Sequence, residues 1–274
     1  MSSDHNETAP AVKIPNFGIG TWENTDPDAC AKAVKTALEM GYRHVDTAQI
    51  YGNEEHVGRG IESAAVDRED IFLATKVWID SLNPDAVRRT TKTSLDKLGV
   101  DSVDLLYVHW PADTYDPETT LSAFETLQQE GLTSHIGVSN FEPRHLETAR
   151  RMLGEGPFAN QIEMHPLLPQ KELQKSVAGT RTEIVAYSPL ARGNVFTVPE
   201  ISSIAEKHTV SEAQVSLAWL AEKGVTRIPK ATTKDHIADN WASRELKLDP
   251  EDIDHIDGID RTERQVDPGF GPWN

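Results

Sequence analysis

Short apolar runs alternate with helix-forming segments along this 274-residue chain. The runs are FGIG (17–20), HVD (44–46), IFLATK (71–76), VDLLYVH (103–109), SHIGVS (134–139), ANQIE (159–163), EIVAYS (183–188) and TRIP (226–229). Brief apolar runs of this kind are typical of strands in a parallel sheet that is covered by helices. The alternation of these runs with helices therefore constrains the fold more strongly than composition does.

The segments between the runs carry apolar residues at a spacing near 3.6, which is typical of amphipathic helices. Residues 26–40 and 83–98 open with Asp or Asn followed by Pro, a common helix start. Residues 117–130, 143–153 and 211–223 follow the same pattern. Eight strand–helix units without a long linker predict an α/β fold, the (β/α)₈ or TIM barrel, formed as a single domain.

An open, doubly wound sheet is the alternative fold for such an alternation. It is weakened because no Gly-x-Gly-x-x-Gly follows a strand, since GIGTWE (18–23) lacks the third glycine, and no Walker phosphate loop is present. Within one domain spanning residues 1–274, we expect residues 1–10 to be flexible. Residues 266–274 are too rich in Gly and Pro for a helix, and we expect residues 261–274 to form a C-terminal tail.

The charge of the chain excludes two classes of partner. It carries 44 acidic against 27 basic side chains, a net charge of −17. Binding to nucleic acid or to an anionic membrane requires clustered Lys and Arg, so neither partner is expected. The acidic residues are dispersed, which fits either a halophilic protein adapted to a salt-rich cytoplasm or an ordinary acidic surface.

The pattern of apolar runs, the N-terminal segment and the cysteine content predict a cytoplasmic protein. No apolar run approaches the roughly 20 residues of a membrane span, and MSSDHNETAP lacks the pattern of a signal peptide. A single cysteine, Cys30, excludes an intrachain disulfide and a zinc site built from several cysteines.

Polar side chains stand at the ends of three successive predicted strands. Asp46 ends the second strand, Lys76 the third and His109 the fourth, while Tyr51 lies in the loop after the second. Each has an ordinary explanation alone: a helix cap, a solvated lysine or a core histidine. In a (β/α)₈ barrel, however, these positions share the face that carries active sites, so we interpret them as one site.

The chemistry of these four groups is coherent. A tyrosine has an ordinary pKa near 10, and a nearby ammonium is expected to lower it. Asp46 would hold the Lys76 ammonium in place, and His109 could orient a carbonyl oxygen toward the Tyr51 phenol. This describes a site that protonates a carbonyl oxygen while the carbon is attacked. Asp46 is far from the next helix start, so we expect Asn53 to cap that helix instead.

The chain resembles the aldo-keto reductases over about residues 11–260. The motifs that carry the resemblance occur in order: GYRHVDTAQIYGNE (41–54), LATKVW (73–78), DLLYVHWP (104–111), IGVSNF (136–141), NQIEMHP (160–166), VAYSPL (185–190) and IPKATT (228–233). The resemblance implies reduction of aldehydes and ketones by hydride transfer, with Tyr51 as proton donor, Lys76 and Asp46 tuning it, and His109 orienting the carbonyl.

The resemblance also implies NADPH as cofactor, bound extended without a Rossmann domain. Its implied contacts are Gly20, Thr21, Trp22, Asp46, Ser139, Asn140, Gln161, Tyr187, Ser188, Leu190, Gly193, Lys230, Thr232, His236, Asp239 and Asn240. In such members a Ser follows the lysine and an Arg lies six residues after it, whereas this chain has Ala231 and His236. Loss of the guanidinium weakens recognition of a 2′-phosphate, so we also expect use of NADH.

Aromatic residues at strand ends suggest a substrate pocket, and the resemblance implies that the C-terminal tail borders it. The expected members are Trp22, Trp78, His109, Trp110, Phe270 and Trp273, although packing is the alternative role for Trp22, Trp78 and Trp110. Such a pocket suits small aldehydes, α-dicarbonyls or keto-sugars, and the chain looks most like the short bacterial and archaeal 2,5-diketogluconate reductases. We expect a monomer.

Two other functions remain open from the sequence. A cofactor-binding regulatory or sensor subunit would keep the same barrel and the same cofactor contacts. A metal-dependent barrel hydrolase is disfavoured because the sequence has no His-x-His strand and no clustered His and carboxylate ligands, so no metal is expected.

Overall fold

The structure, a computed structural model, describes residues 13–274 and contains one sheet of eight parallel strands. The strands follow chain order: β1 (Gly18–Gly20), β2 (His44–Asp46), β3 (Phe72–Val77), β4 (Val103–Val108), β5 (Thr133–Ser139), β6 (Ala159–Glu163), β7 (Glu183–Tyr187) and β8 (Thr226–Arg227). Each lies within about one residue of a predicted run, except that β8 keeps only two of four residues. The predicted barrel is confirmed.

The sheet closes between its first and last strands. Phe17 pairs with Arg227 and Gly20 with Lys230 in parallel bridges. The Gly20 amide donates to the Pro229 carbonyl at 3.1 Å. A Cβ at Gly20 would lie 2.7 Å from the Ile228 carbonyl oxygen, so glycine at this position allows the two strands to meet.

Ten α-helices surround the sheet in the described part of the chain. They are α1 (Pro27–Met40), α2 (Glu54–Glu62), α3 (Pro84–Leu98), α4 (Pro117–Gln129), α5 (Pro143–Met152), α6 (Lys171–Val177), α7 (Pro199–His208), α8 (Glu212–Glu222), α9 (Lys234–Ala242) and α10 (Pro250–Asp257). The side chains of Asp26, Asn83 and Asp116 cap α1, α3 and α4 ahead of a proline, as the sequence predicts for α1 and α3.

The strands bury both faces. Outward residues such as Leu73 and Leu106 join the large apolar cluster beneath the helices. Inward residues, including Phe72, Ala74 and Tyr107, form a second cluster inside the barrel. Because side chains alternate along a strand, the inward row that begins at Phe72 and Ala74 reaches Lys76 at the carboxyl end.

His44 lies inside the barrel at the start of β2. Its side chain is fully buried. The ring packs edge-on against Phe72 at 5.4 Å, and a Cβ at Gly18 would come within 2.8 Å of it. Burial lowers the pKa of His44 to about 4, and the Asp46 carboxylate offsets only part of this shift.

The two ends of the chain were predicted to lack regular structure. The prediction that residues 1–10 are flexible concerns residues outside the described part of the chain. At the other end, residues 258–274 follow α10 without forming a further helix or strand. From residue 13 onward, no helix is both long enough and apolar enough to cross a membrane.

Candidate active site

A cavity of about 600 Å³ opens at the carboxyl ends of the strands. Most residues that the sequence assigned to a site line it: Gly20, Thr21, Trp22, Asp46, Tyr51, Trp78, His109, Trp110, Ser139, Asn140, Gln161, Tyr187, Ser188, Leu190, Gly193, Lys230 and Phe270. This is the end of a (β/α)₈ barrel where active sites occur. The cavity is therefore the candidate active site.

Lys76 and Asp46 form an ion pair at the base of the cavity. Both side chains are almost fully removed from solvent, and the Lys76 ammonium contacts the Asp46 carboxylate directly. The same ammonium donates to the Thr47 carbonyl at 2.8 Å, and Gln161 Nε2 donates to the other Asp46 oxygen at 2.7 Å. These added hydrogen bonds are what a buried ion pair needs in order to be tolerated.

Tyr51 reaches this ion pair from a short 3₁₀ turn, Gln49–Tyr51, that follows β2. Its hydroxyl lies 3.3 Å from Lys76 Nζ. The rings of Tyr51 and His109 meet edge to face, with centroids 5.7 Å apart, and the Trp78 ring also packs edge to face with His109 at 5.0 Å. The phenol, the ammonium and the imidazole therefore converge on one end of the cavity.

The charge states of these groups follow from their burial. Burial and the Asp46 carboxylate hold the pKa of the Tyr51 phenol well above its usual range. Burial, aided by the Lys76 ammonium, holds the pKa of His109 well below its usual range, and burial also lowers the pKa of Lys76. Tyr51 is thus protonated and His109 neutral near pH 7.

The expectation that the pKa of Tyr51 lies below its ordinary value is therefore wrong for this arrangement, because burial and the Asp46 carboxylate raise it. The Asp46 carboxylate offsets the charge of the ammonium, and removal from water favours the neutral phenol. The result is a phenol that carries a proton to donate, not one that is partly ionised.

The expectation that Asn53 caps α2 through its side chain is also wrong. It precedes α2 as predicted, but its side chain makes no capping hydrogen bond to that helix. Its amide instead donates to the carbonyls of Thr21 and Asn24 and accepts from the Thr47 hydroxyl at 2.9 Å. Asn53 therefore joins the loops that follow β1 and β2, which carry Trp22 and Tyr51.

A group of polar residues, Ser139, Asn140, Gln161 and Tyr187, also lines the cavity. The Ser139 hydroxyl donates to the Gln161 carbonyl at 2.9 Å, and Asn140 Nδ2 donates to the His109 carbonyl at 3.1 Å. The Tyr187 hydroxyl donates to Asn140 Oδ1 at 2.8 Å. These bonds hold an amide, a hydroxyl and an aromatic ring side by side, a set suited to a flat, amide-bearing ring.

The loop after β7 crosses the mouth of the cavity. Ser188, Ala191 and Arg192 have φ values of 46°, 47° and 52°, which is uncommon for residues other than glycine. The Arg192 guanidinium stacks on Trp22 at 4.2 Å and donates to the Glu23 carboxylate at 3.1 Å. Backbone strain of this kind collects at ligand sites, where the surrounding contacts maintain it.

Comparison with known proteins agrees with this geometry. The family model described as "Aldo/keto reductase family" matches residues 16–261. The chain belongs to the aldo/keto reductase family. It is 39% identical to a glyoxal reductase of Bacillus subtilis, with 92% of this chain and 91% of the relative covered. It is also 39% identical to a methylglyoxal reductase of Salmonella typhi, with 96% and 100% covered.

A solved structure gives the same result for the fold. An aldo/keto reductase from Brucella melitensis superposes with a TM-score of 0.85 at 41% identity, covering 90% of this chain and 95% of that protein. The chain is thus an oxidoreductase of a family that reduces small carbonyl compounds and generally uses a nicotinamide cofactor.

Aromatic side chains form the outer part of the cavity in this aldo/keto reductase. The Phe270 ring meets Trp110 at 5.4 Å and Trp78 at 6.1 Å, so the tail reaches the cavity. Trp273 does not line it. Its ring packs behind Trp110 at 5.5 Å, beneath the Arg264 guanidinium.

Five more of the expected site residues lie outside the lining. Lys76 lies beneath Asp46 and contacts both Asp46 and Tyr51. Thr232, His236, Asp239 and Asn240 belong to the segment around α9 that starts beyond Lys230. The Asp239 carboxylate accepts hydrogen bonds from the Ser211 hydroxyl and the Gln214 amide, both at 2.6 Å.

Other lining residues were not named individually as site residues from the sequence. They are Glu23, Ile50, Pro189, Arg192, Phe196, Ile228, Pro229, Val266 and Pro268. Ile50 and Phe196 are large apolar residues about half exposed, and both stand at the cavity mouth. Apolar residues in loops, outside any helical or strand periodicity, were the signal that could have found them.

Proposed function

We propose that this chain reduces small aldehydes and ketones to alcohols with a nicotinamide cofactor, and that Tyr51 is the proton donor. The observation that carries the proposal is the 3.3 Å contact between the Tyr51 hydroxyl and Lys76 Nζ, beside His109 at the cavity wall. A protonated phenol held against an ammonium can release its proton to a developing alkoxide.

The roles of the individual groups follow from their charge. The neutral His109 can donate a hydrogen bond to the carbonyl oxygen of the substrate and orient it toward Tyr51. As Tyr51 releases its proton, the Lys76 ammonium stabilises the phenolate that forms. Asp46 keeps the ammonium in position, and Gln161 in turn fixes Asp46.

The residues present fit a nicotinamide cofactor. Ser139, Asn140 and Gln161 would hold its carboxamide, and the ring of Tyr187, which lines the cavity, would support the nicotinamide ring. The strained loop from Ser188 to Gly193 would cover the pyrophosphate, and a Cβ at Gly193 would meet no atom within 4 Å. When bound, the reduced nicotinamide supplies the hydride that attacks the carbonyl carbon.

We further propose a preference for NADPH with measurable use of NADH. Lys230 is exposed at the rim of the cavity and can pair with a 2′-phosphate. His236 is exposed at the start of α9, where an imidazole offers a weaker contact than a guanidinium would. An NADH efficiency in kcat/KM more than about a thousandfold below that of NADPH would contradict this proposal.

The proposed substrates are small aldehydes and α-dicarbonyls, with keto-sugars as a further class. The aromatic lining supports uncharged substrates, because the Arg192 guanidinium at the mouth is already paired with Glu23. Relatives named glyoxal reductase and methylglyoxal reductase make methylglyoxal the first substrate to test.

The decisive experiment compares Tyr51→Phe with the wild type in the oxidation of NADPH by methylglyoxal. We expect a loss of at least about a hundredfold in kcat, since general acid catalysis contributes about that much or more. Tyr115→Phe is the matched control, because Tyr115 packs against Phe141 and does not line the cavity. Turnover that survives in Tyr51→Phe would refute the role of Tyr51, and no turnover in the wild type would favour a binding subunit.

A further inference from the structure

One wall of the cavity is built by the C-terminal tail. Val266, Pro268 and Phe270 line the cavity, although the tail has no helix or strand of its own. A wall of this kind keeps its shape only if contacts elsewhere hold it. The polar contacts of the tail with the barrel therefore decide how well this side of the cavity is defined.

The contact nearest to the cavity wall is made by Glu163, at the end of β6. Its side chain is completely buried. Oε1 accepts a hydrogen bond from the backbone N–H of Gln265 at 2.6 Å, and Oε2 accepts one from the backbone N–H of Val266 at 2.9 Å. The two oxygens of one carboxylate thus hold two successive peptide groups of the tail.

His165 completes this arrangement. Its Nε2 lies 2.9 Å from Glu163 Oε1, and its ring is fully buried. With Glu163 as a carboxylate, both of its oxygens accept from backbone N–H groups, and His165 Nε2 donates to Oε1. We name Glu163, His165 and the amides of Gln265 and Val266 the tail clamp.

Only a carboxylate serves both amides. A glutamine at the same position would keep the shape but would turn an NH₂ group toward one N–H, leaving a buried donor without an acceptor. Hydrogen bonds to a charged acceptor are also stronger than neutral ones. The charge is thus used to fix a segment that lacks secondary structure.

The tail clamp extends to the loop over the cavity mouth. The Asn194 amide donates to the Gln265 side chain at 3.0 Å, which connects the loop after β7 with the tail. Farther along, the Glu263 N–H donates to the Leu167 carbonyl at 2.8 Å, which aligns the tail beside the segment that follows β6. Gln265 therefore joins two walls of the cavity.

We propose that Glu163 is a positioning residue that fixes the tail through the tail clamp and thereby sets the affinity for bulky substrates. A substrate large enough to reach Val266 and Phe270 depends on the tail clamp, whereas a small α-dicarbonyl bound near Tyr51 and His109 does not. The part that concerns substrates rests on the proposed carbonyl reduction, and the part that concerns the tail does not.

The first test needs no activity. Trypsin can cut after Arg264 only when the tail leaves the barrel, and mass spectrometry detects the released peptide 265–274. We expect Glu163→Gln to speed this cleavage about tenfold. Glu172→Gln is the control: it makes the same chemical change on exposed α6, where Glu172 pairs with Lys175, and we expect a change below about twofold.

A second variant removes a donor on the tail side of the tail clamp, and it serves as the test if Glu163→Gln does not fold. Val266→Pro removes one donor and leaves the barrel unchanged, since proline has no N–H. Val266→Ala is its control, because it removes the lining side chain but keeps the N–H. We expect about fivefold or greater faster release of 265–274 from Val266→Pro than from Val266→Ala.

The kinetic test separates positioning from general damage. With an aryl aldehyde such as 4-phenylbenzaldehyde, we expect Glu163→Gln to raise KM about tenfold while kcat stays within about threefold. With methylglyoxal we expect both constants within about threefold of the wild type. An equal fall in kcat for both substrates would mean damage to the catalytic groups and would overturn the proposal.

The outcomes also separate this proposal from the proposed function. If the wild type reduces neither aldehyde, carbonyl reduction is wrong, and the trypsin assay still decides the role of Glu163. If Glu163→Gln and Val266→Pro release the peptide no faster than their controls, the tail clamp does not hold the tail and the inference is refuted.

Discussion

Replacing His44 tests whether a neutral histidine inside the barrel makes the fold sensitive to acid. The ring is fully buried, and its pKa falls from 6.5 to about 4 on folding. Below pH 6.5 the unfolded chain therefore binds a proton that the folded chain does not. Stability is lost as the pH falls from about 6.5 toward 4, and the loss is complete below the folded pKa.

The magnitude follows from these two values. Between about pH 7 and about pH 5, linkage predicts that His44 alone lowers the free energy of unfolding by about 2 kcal/mol. The full shift corresponds to about 3 kcal/mol at lower pH, at about 1.4 kcal/mol for each pKa unit. The other histidines with lowered pKa values, such as His109, also reduce the free energy of unfolding on acidification. Because every variant retains them, they do not affect the difference between the wild type and His44→Leu.

The assay is urea unfolding of the wild type and His44→Leu at both pH values. We expect the wild type to lose about 2 kcal/mol more than the variant on acidification. His255→Leu is the control, because His255 is exposed on α10 and its replacement should leave the wild-type loss unchanged. Equal losses in the wild type and His44→Leu would refute a neutral, buried His44.

Three further predictions concern the site. Because the pKa of Tyr51 is raised, kcat for carbonyl reduction should vary less than about threefold from pH 6 to pH 9, and a fall centred near pH 7 would contradict the protonated phenol. Asn53→Ala should lower the free energy of unfolding by about 3 kcal/mol in urea, since three buried partners lose their hydrogen bonds, whereas a loss below about 1 kcal/mol would show that the loops hold without it. Lys230→Ala should raise KM for NADPH about tenfold and leave KM for NADH within about twofold, and equal changes would exclude a phosphate contact.

The barrel could be predicted because its determinants are local. Each strand is a short apolar run, and each of three helices begins at a capping side chain before proline. The positions of Asp46, Lys76 and His109 follow from the same pattern, because carboxyl ends of parallel strands meet on one face. The groups that come together there were therefore visible in the sequence.

The features that escaped prediction depend on distant parts of the chain. The amides held by Glu163 lie 102 and 103 residues away, and no spacing rule connects them. The direction of the Tyr51 shift depends on burial and on an ion pair, both of which exist only after folding. Asn53 fits a helix-cap pattern, yet its side chain finds tertiary partners, so context overrides a local preference.

The seam between β1 and β8 has a consequence for how ligands affect this protein. The two strands contribute only three and two residues, so few backbone bonds join the first unit of the barrel to the last. Trp22, just after β1, and Lys230, just after β8, both border the cavity. A dinucleotide that contacts both would act as a brace across the least reinforced join, and thermal protection by the cofactor should exceed protection by the carbonyl compound alone.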